Sequence, residues 1–344
     1  MDWSRNSRIL DNALQGIGLT PMIRLSRIAE SVKPAVVAKL EYTNPSGSLK
    51  DRVVLDIVEE AEKRGDLKPG MILMEGTTGN TGIAASMVGA VKGYRVIIVM
   101  PEGMSEERKK TIKAYGAELV LTPGGETDVD LVLQEVERLR EKYGDMVFEL
   151  GQFVRPENAR CHYTKTGPEI WEQSAGQVDI LIMCQGTGGT ITGTARYLKE
   201  MNPALKAFVS EPRESPILAE GKIGRHKVQG IADGLIPEIL DLDCLDGVIQ
   251  VHSDEAIETA RELARREGIF CGISSGCNVA AAIKAARRFP EARMVVTLIN
   301  DNGLRYLSTE LCGLPSDRKL LDREYILSDD DIAKLKSRNF MIIK

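Results

Sequence analysis

Short apolar runs alternate with longer stretches in which apolar positions recur at helical spacing, and the alternation continues through most of the chain. That pattern predicts parallel strands joined by crossover helices, an α/β fold. Strands are expected at 35–40, 71–75, 95–100, 118–121, 147–150, 178–184, 207–210, 248–251 and 294–299. Helices fall between them: 106–115 stops before Gly116, 129–143 before Gly144 and 253–267 before Gly268, each with a glycine where a C-terminal cap belongs. Another helix starts near Lys50, where Val53, Val54, Ile57, Val58 and Ala61 share a face. Ser328-Asp329-Asp330-Asp331 marks the start of a last short helix after a charge-rich stretch, 317–331.

No internal repeat, low-complexity tract or Pro/Ser-rich linker breaks the alternation. With 344 residues and 43% hydrophobic content, the chain divides more easily into two α/β lobes, joined by short loops, than into one. A net charge of -5 argues against a nucleic-acid partner, which requires a basic face. No apolar run approaches the roughly 20 residues that span a bilayer, and the charged start leads into no signal-type segment, so a cytoplasmic protein is expected, with no membrane partner. The six cysteines form no C-x-x-C pair and only three histidines accompany them. Neither a disulfide framework nor a metal site is expected.

The chemistry concentrates in a few loops. Asn44-Pro45-Ser46-Gly47-Ser48-Leu49-Lys50-Asp51-Arg52 sets a lysine in the first turn of a helix, with Ser48 as the expected cap. There the positive end of the helix dipole disfavours an ammonium and lowers its pKa, as a nucleophilic amine requires. An ordinary solvated capping turn, with Asp51 offsetting Lys50, is the competing reading. Gln185-Gly186-Thr187-Gly188-Gly189-Thr190 follows an apolar strand and opens a helix, so its backbone N–H groups and its threonine hydroxyls can cradle a phosphate. It lacks the Lys-Ser/Thr ending of a nucleotide P-loop, which favours a small phosphorylated cofactor. Glu75-Gly76-Thr77-Thr78-Gly79-Asn80-Thr81-Gly82 has the same construction with more hydroxyl and amide donors, as suits a carboxylate held in one orientation. Asn300-Asp301-Asn302-Gly303 and Gln152 lie just past strands, at the edge where open α/β sheets bind ligands. Lys165-Thr166-Gly167 is too short a match to a β-lactamase pattern to weigh.

A helix-start lysine, a Thr-Thr-Gly-Asn-Thr-Gly loop and a Gly-Thr-Gly-Gly-Thr cradle, in this order, resemble the cysteine synthase and cystathionine β-synthase family, pyridoxal phosphate enzymes of the tryptophan synthase β-subunit fold. The resemblance runs from Gly18-Leu19-Thr20-Pro21 to Arg305-Tyr306-Leu307-Ser308-Thr309, through Gly167-Pro168-Glu169-Ile170-Trp171, His226-Lys227-Val228-Gln229-Gly230-Ile231 and Gly272-Ile273-Ser274-Ser275-Gly276. It implies two open twisted sheets flanked by helices: a smaller domain at 45–150, a larger cofactor-binding domain from 1–44 and 151–312, and a C-terminal tail at 313–344. Lys50 would carry pyridoxal 5'-phosphate as a Schiff base and take the substrate α-proton. Gly186, Thr187, Gly188, Gly189 and Thr190 would hold the phosphate. Thr77, Thr78, Asn80, Thr81 and Gln152 would bind the α-carboxylate, with Asn80 also at the ring hydroxyl. Asn302 would meet the pyridine nitrogen, with Asp301 the alternative one residue earlier. Gly230-Ile231-Ala232-Asp233-Gly234 departs from the family's glycine-richer form at the pocket entrance.

The reaction so implied is β-replacement on O-acetylserine by sulfide, giving L-cysteine through an aminoacrylate. O-phosphoserine is an alternative donor, because Lys222, Arg225 and Lys227 precede Gln229 and would meet a phosphate; serine with homocysteine is another pairing. No recognisable regulatory module follows the matched region. A homodimer is implied, and the C-terminal peptide of a serine acetyltransferase is a candidate partner for the cleft. Readings from other classes are a silent binding protein on the same fold, against which Lys50 speaks, and a dinucleotide binder, for which the Gly-x-Gly-x-x-Gly opening is missing.

Overall fold

The computed structural model describes residues 1–125, 128–313, 325–336 and 338–344. Eleven strands are assigned among them: β1 (Met22–Arg24), β2 (Ala35–Leu40), β3 (Ile72–Gly76), β4 (Arg95–Pro101), β5 (Glu118–Thr122), β6 (Val147–Glu149), β7 (Ile180–Cys184), β8 (Lys206–Pro212), β9 (Gly247–Val251), β10 (Met294–Ile299) and β11 (Met341–Ile343). They form two sheets, as expected. The order β5-β4-β3-β6 builds a wholly parallel four-stranded sheet, and β1-β2-β10-β7-β8-β9-β11 a seven-stranded one in which β1 alone runs antiparallel to its neighbour.

Central strands are apolar on both faces because helices cover both. In β10, Val295, Val296, Leu298 and Ile299 are all buried, and Val296 pairs with Val37 on one side and Leu181 on the other. The smaller sheet has a core on each face. Leu73, Ile98 and Met100 pack with the helices Lys50–Arg64 and Asn80–Lys92, and Met74, Ile97 and Val99 pack with the helix Val129–Tyr143.

The sequence expectation missed the two edge strands, β1 and β11, which are too short to carry a periodic signal. It also placed the cap of the Lys50 helix one residue early: the capping position is Leu49, although the Ser48 hydroxyl accepts the Lys50 N–H at 3.3 Å. The last helix is Asp329–Lys336, and it hands the chain on to β11 beside β9, so this part of the tail completes the chain's own large sheet. Residues 314–324, including most of the charge-rich stretch, lie outside the described residues.

Candidate active site

The carboxyl ends of β3, β7 and β10 face one cavity between the two sheets. Open parallel sheets place ligands at this edge, because the loops leaving the strands diverge there and expose helix N-termini. Lys50, Thr77, Thr78, Asn80, Thr81, Gln152, Gly186, Thr187, Gly188 and Thr190 all line it. Two of the residues expected at the site do not. Gly189 lies behind the cradle, where a Cβ would come within 2.2 Å of Asn158 Oδ1. Asn302 turns away, its side chain accepting the Leu304 N–H at 2.8 Å as the cap of the short helix Gly303–Tyr306.

Lys50 is held by its backbone. The Leu49 N–H donates to Asn300 O at 3.0 Å, and Ser48 bridges Asp301, so the turn before the lysine is pinned to the end of β10. Its amine has no hydrogen bond or ion pair among the described residues. Burial is the main cause of a lowered pKa; the thiol of Cys184 and the carboxylates of Asp233 and Asp301 oppose the shift without cancelling it. Desolvation, rather than the helix dipole alone, prepares this amine.

The loop after β7 reaches the helix Gly189–Met201 through Gly188 at φ +79°, a conformation that any side chain would strain. Asn158 Nδ2 donates to Thr187 Oγ1 at 2.9 Å, and His162 Nε2 faces Thr190 Oγ1 at 3.2 Å while its Nδ1 faces Thr166 Oγ1 at 2.9 Å. Burial, with Arg52 and Lys50 nearby, drives the His162 pKa well below the usual imidazole value. A neutral ring therefore braces the cradle.

On the opposite wall, Gly79 takes φ +149° beneath Arg108, whose Cδ would lie 2.3 Å from a Cβ there. Thr81 Oγ1 donates to Gln152 Oε1 at 2.6 Å, which ties the loop after β3 to the segment after β6. Beneath both, Glu75 accepts the Gly151 N–H at 2.9 Å, and burial pushes its pKa up to about 8.

Sequence reasoning gave no site role to the lining residues Cys184, Ser274, Arg108 and Gln229, whereas Asn300 and Asp233 line the cavity at the sheet edge and pocket entrance where their segments were expected. Ser274, at the start of the helix Ile273–Arg288, accepts from Asn300 Nδ2 at 3.1 Å. The Gly272-Ile273-Ser274-Ser275-Gly276 block was the available signal, a hydroxyl pair opening a helix at a sheet's ligand edge. Lys222 and Lys227 instead pair with Glu220, and with Asp254 and Glu310, and neither they nor Arg225 lines the cavity.

The fold and cavity are those of an enzyme with room for a small phosphorylated cofactor at the ligand edge of its sheets. Residues 13–301 match the family described as pyridoxal-phosphate dependent enzyme, and the chain belongs to that family. Among curated relatives it is 44% identical to a cysteine synthase of Staphylococcus aureus over 303 residues, 88% of this chain and 97% of that protein. Among solved structures it resembles the cysteine synthase of Entamoeba histolytica, with a TM-score of 0.85 and 38% identity over 96% of this chain and 97% of that one. A hydrogen sulfide-producing enzyme from Fusobacterium nucleatum is also similar, with a TM-score of 0.84 and 38% identity over 87% of this chain and all of that one. The residues present fit pyridoxal phosphate. Asn80 Oδ1 is buried with no hydrogen-bond partner among the described residues, and the unpaired Lys50 amine shares the cavity with a glycine-threonine cradle.

Proposed function

We propose that the chain is a cysteine synthase, replacing the acetoxy group of O-acetyl-L-serine by sulfide to give L-cysteine and acetate. The observation that carries this reading is the half-buried Lys50 amine, with no hydrogen bond or ion pair among the described residues, in one cavity with the Gly186–Thr190 cradle and the Thr77–Thr81 loop. When bound, the cofactor supplies an aldehyde for attachment and a conjugated ring that draws electrons from the substrate α-carbon. Lys50 Nζ carries that attachment and, once released, takes and returns the α-proton. The 186–190 cradle holds the phosphate through backbone N–H groups and the Thr187 and Thr190 hydroxyls. Thr77, Thr78, Asn80, Thr81 and Gln152 hold the α-carboxylate.

In this reading Ser274, which lines the cavity, would meet the ring nitrogen in place of Asn302, whose side chain caps the next turn. A neutral hydroxyl leaves that nitrogen largely unprotonated, which suits loss of a β-substituent over longer-lived carbanion chemistry. O-phosphoserine is disfavoured as donor, since the basic loop at 222–227 does not line the cavity and the cavity-lining Arg108 gives its guanidinium to Gln229 and Tyr306. The smaller domain at 45–150, a homodimer and a cytoplasmic location belong to the same proposal, as does a serine acetyltransferase C-terminal peptide as a visitor to the cleft. Among the described residues no helix is long and apolar enough to cross a membrane.

The test is a preparation loaded with pyridoxal phosphate. It turns yellow, borohydride bleaches it and fixes the cofactor mass on the peptide containing Lys50, and cysteine forms from sulfide and O-acetylserine faster than from O-phosphoserine. Cystathionine from serine and homocysteine as the dominant product would overturn the substrate assignment and leave Lys50 in place.

A further inference from the structure

The end of β10 holds two parts of the site at once. Through its backbone, Asp301 bridges Ser48, and its neighbours clamp the same turn: Asn302 N–H donates to Gly47 O at 3.1 Å, and Arg305 donates to Gly47 O at 2.9 Å and to Ser46 O. Through its side chain, the fully buried Asp301 accepts Asn80 Nδ2 at 2.7 Å on Oδ2. The same oxygen accepts the Tyr306 hydroxyl at 2.7 Å, and that hydroxyl accepts from Arg108 at 2.7 Å. Arg108 lies over the Tyr306 ring, 4.6 Å from its centroid, and donates also to Gln229. The result is a continuous buried line, Asn80–Asp301–Tyr306–Arg108–Gln229, crossing from the loop after β3 to the far wall of the cavity.

A carboxylate only accepts, so it dictates which end of a facing amide it meets. Asp301 therefore draws the Asn80 NH2 group toward itself and leaves Asn80 Oδ1, buried and without a hydrogen-bond partner among the described residues, as the amide's other face. A buried carboxylate needs compensation, which here comes from a tyrosine that stays protonated and passes on the charge of Arg108. Burial raises the Tyr306 pKa well above the usual phenol value, so the hydroxyl remains a donor. The charged groups that face Asp301 are Lys50, Arg305 and, through Tyr306, Arg108.

We infer that Asp301 is a positioning residue: by orienting the Asn80 amide and pinning the turn before Lys50, it fixes the asparagine toward the cofactor and ties that contact to the lysine. The inference rests on the cavity being the pyridoxal phosphate site. Asp301 acts through Asn80, and Tyr306 acts through Asp301.

The experiment reads the visible band of the loaded protein against pH, together with kcat/KM for O-acetylserine. Asp301→Asn can offer its own NH2 toward Asn80 and invert the amide, and it is expected to move the pH midpoint of the band by about one unit. It is expected to lower kcat/KM by about tenfold or more. Tyr306→Phe keeps the packing and removes the donor, so it moves the midpoint in the same direction by less. In an Asn80→Ala background, Asp301→Asn is expected to add less than about twofold, because the residue it acts through is gone. A midpoint unchanged in both single variants, or an Asp301→Asn loss that multiplies fully in the Asn80→Ala background, overturns the inference. Should Asp301→Asn fail to fold, Tyr306→Phe alone and on Asn80→Ala is read by the same two criteria. Borohydride fixation on the unaltered protein separates the two levels: its failure removes the cofactor site itself, whereas its success with additive variants removes only the role of Asp301.

Discussion

Lys50 and Arg52 stand two residues apart at the start of one helix, on roughly opposite sides of it; Arg52 is fully buried, whereas Lys50 is half-buried and opens on the cavity. Arg52 is enclosed. Its guanidinium donates to Glu41 at 2.7 and 2.9 Å and to both oxygens of Glu169 at 2.7 Å, and Lys39 adds a 2.8 Å ion pair to Glu169. Burial would lower the Arg52 pKa, but the two carboxylates outweigh it and raise it; burial would raise Glu169, but Arg52 and Lys39 hold that carboxyl at about 2. Lys50 is also desolvated but has no carboxylate in contact among the described residues, so its pKa falls. One helix end thus carries a cation fixed by two carboxylates and another with no counter-ion among the described residues. The difference that sets the direction of the two shifts is the presence of a counter-ion at contact distance.

Replacing Lys50 by alanine removes the unpaired cation, and turnover is expected to fall by about 10³-fold or more, with no borohydride-fixable colour and no loss of thermal stability. A Lys50→Ala protein that unfolds early would place the lysine among the structural cations after all. Arg52→Ala has the opposite signature: two carboxylates are left buried without their partner, and urea unfolding is expected to show a loss of about 3–5 kcal/mol. The pH dependence sharpens the contrast. Because Glu169 is depressed to about 2 from 4.5, its contribution is present above pH 4.5 and disappears as pH falls toward 2, and Arg52→Ala should flatten that acid limb.

Glu75 is the acidic counterpart of Lys50, a buried carboxyl with no cation in contact among the described residues. Its pKa is raised to about 8 from 4.5, so its contribution is complete below pH 4.5 and is lost as pH rises through 8. Glu75→Gln should remove that alkaline loss, about 5 kcal/mol at most between the two limits, in denaturation curves taken across the range. The smallest effect belongs to Asn302→Ala. It removes a helix cap, about 1 kcal/mol, and should leave kcat/KM within about twofold, whereas Ser274→Ala should change kcat/KM by more. Equal kinetic losses at the two positions would return Asn302 to the site.

Much of the site could be read from residue order because its parts are local. Gly186 to Thr190 and Thr77 to Thr81 each lie between one strand and one helix, so the glycines, the hydroxyls and the helix start all fall within a few positions. Lys50 was legible for the same reason. Asn302 misled because a polar residue just past a strand looks the same whether its side chain enters the cleft or caps the next turn. That choice was made by the helix Gly303–Tyr306, whose Leu304 N–H claims the amide. Ser274 was hidden in the reverse way, in a short Ser-Ser block whose two hydroxyls diverge: Ser275 Oγ accepts the Asn300 N–H at 2.9 Å, while Ser274 lines the cavity.

What the order of residues determined by itself was the set of elements, the parallel sheets and the two glycine-threonine loops that line the cavity, because apolar periodicity and glycine placement act over a turn or a strand. Tertiary structure alone decided which charges found partners. Glu169 reaches Arg52 across 117 positions and Asp301 reaches Asn80 across 221, whereas the Lys50 amine meets no carboxylate at all among the described residues. Electrostatic energy depends on distance and dielectric in the folded state, and no local pattern of residues encodes either.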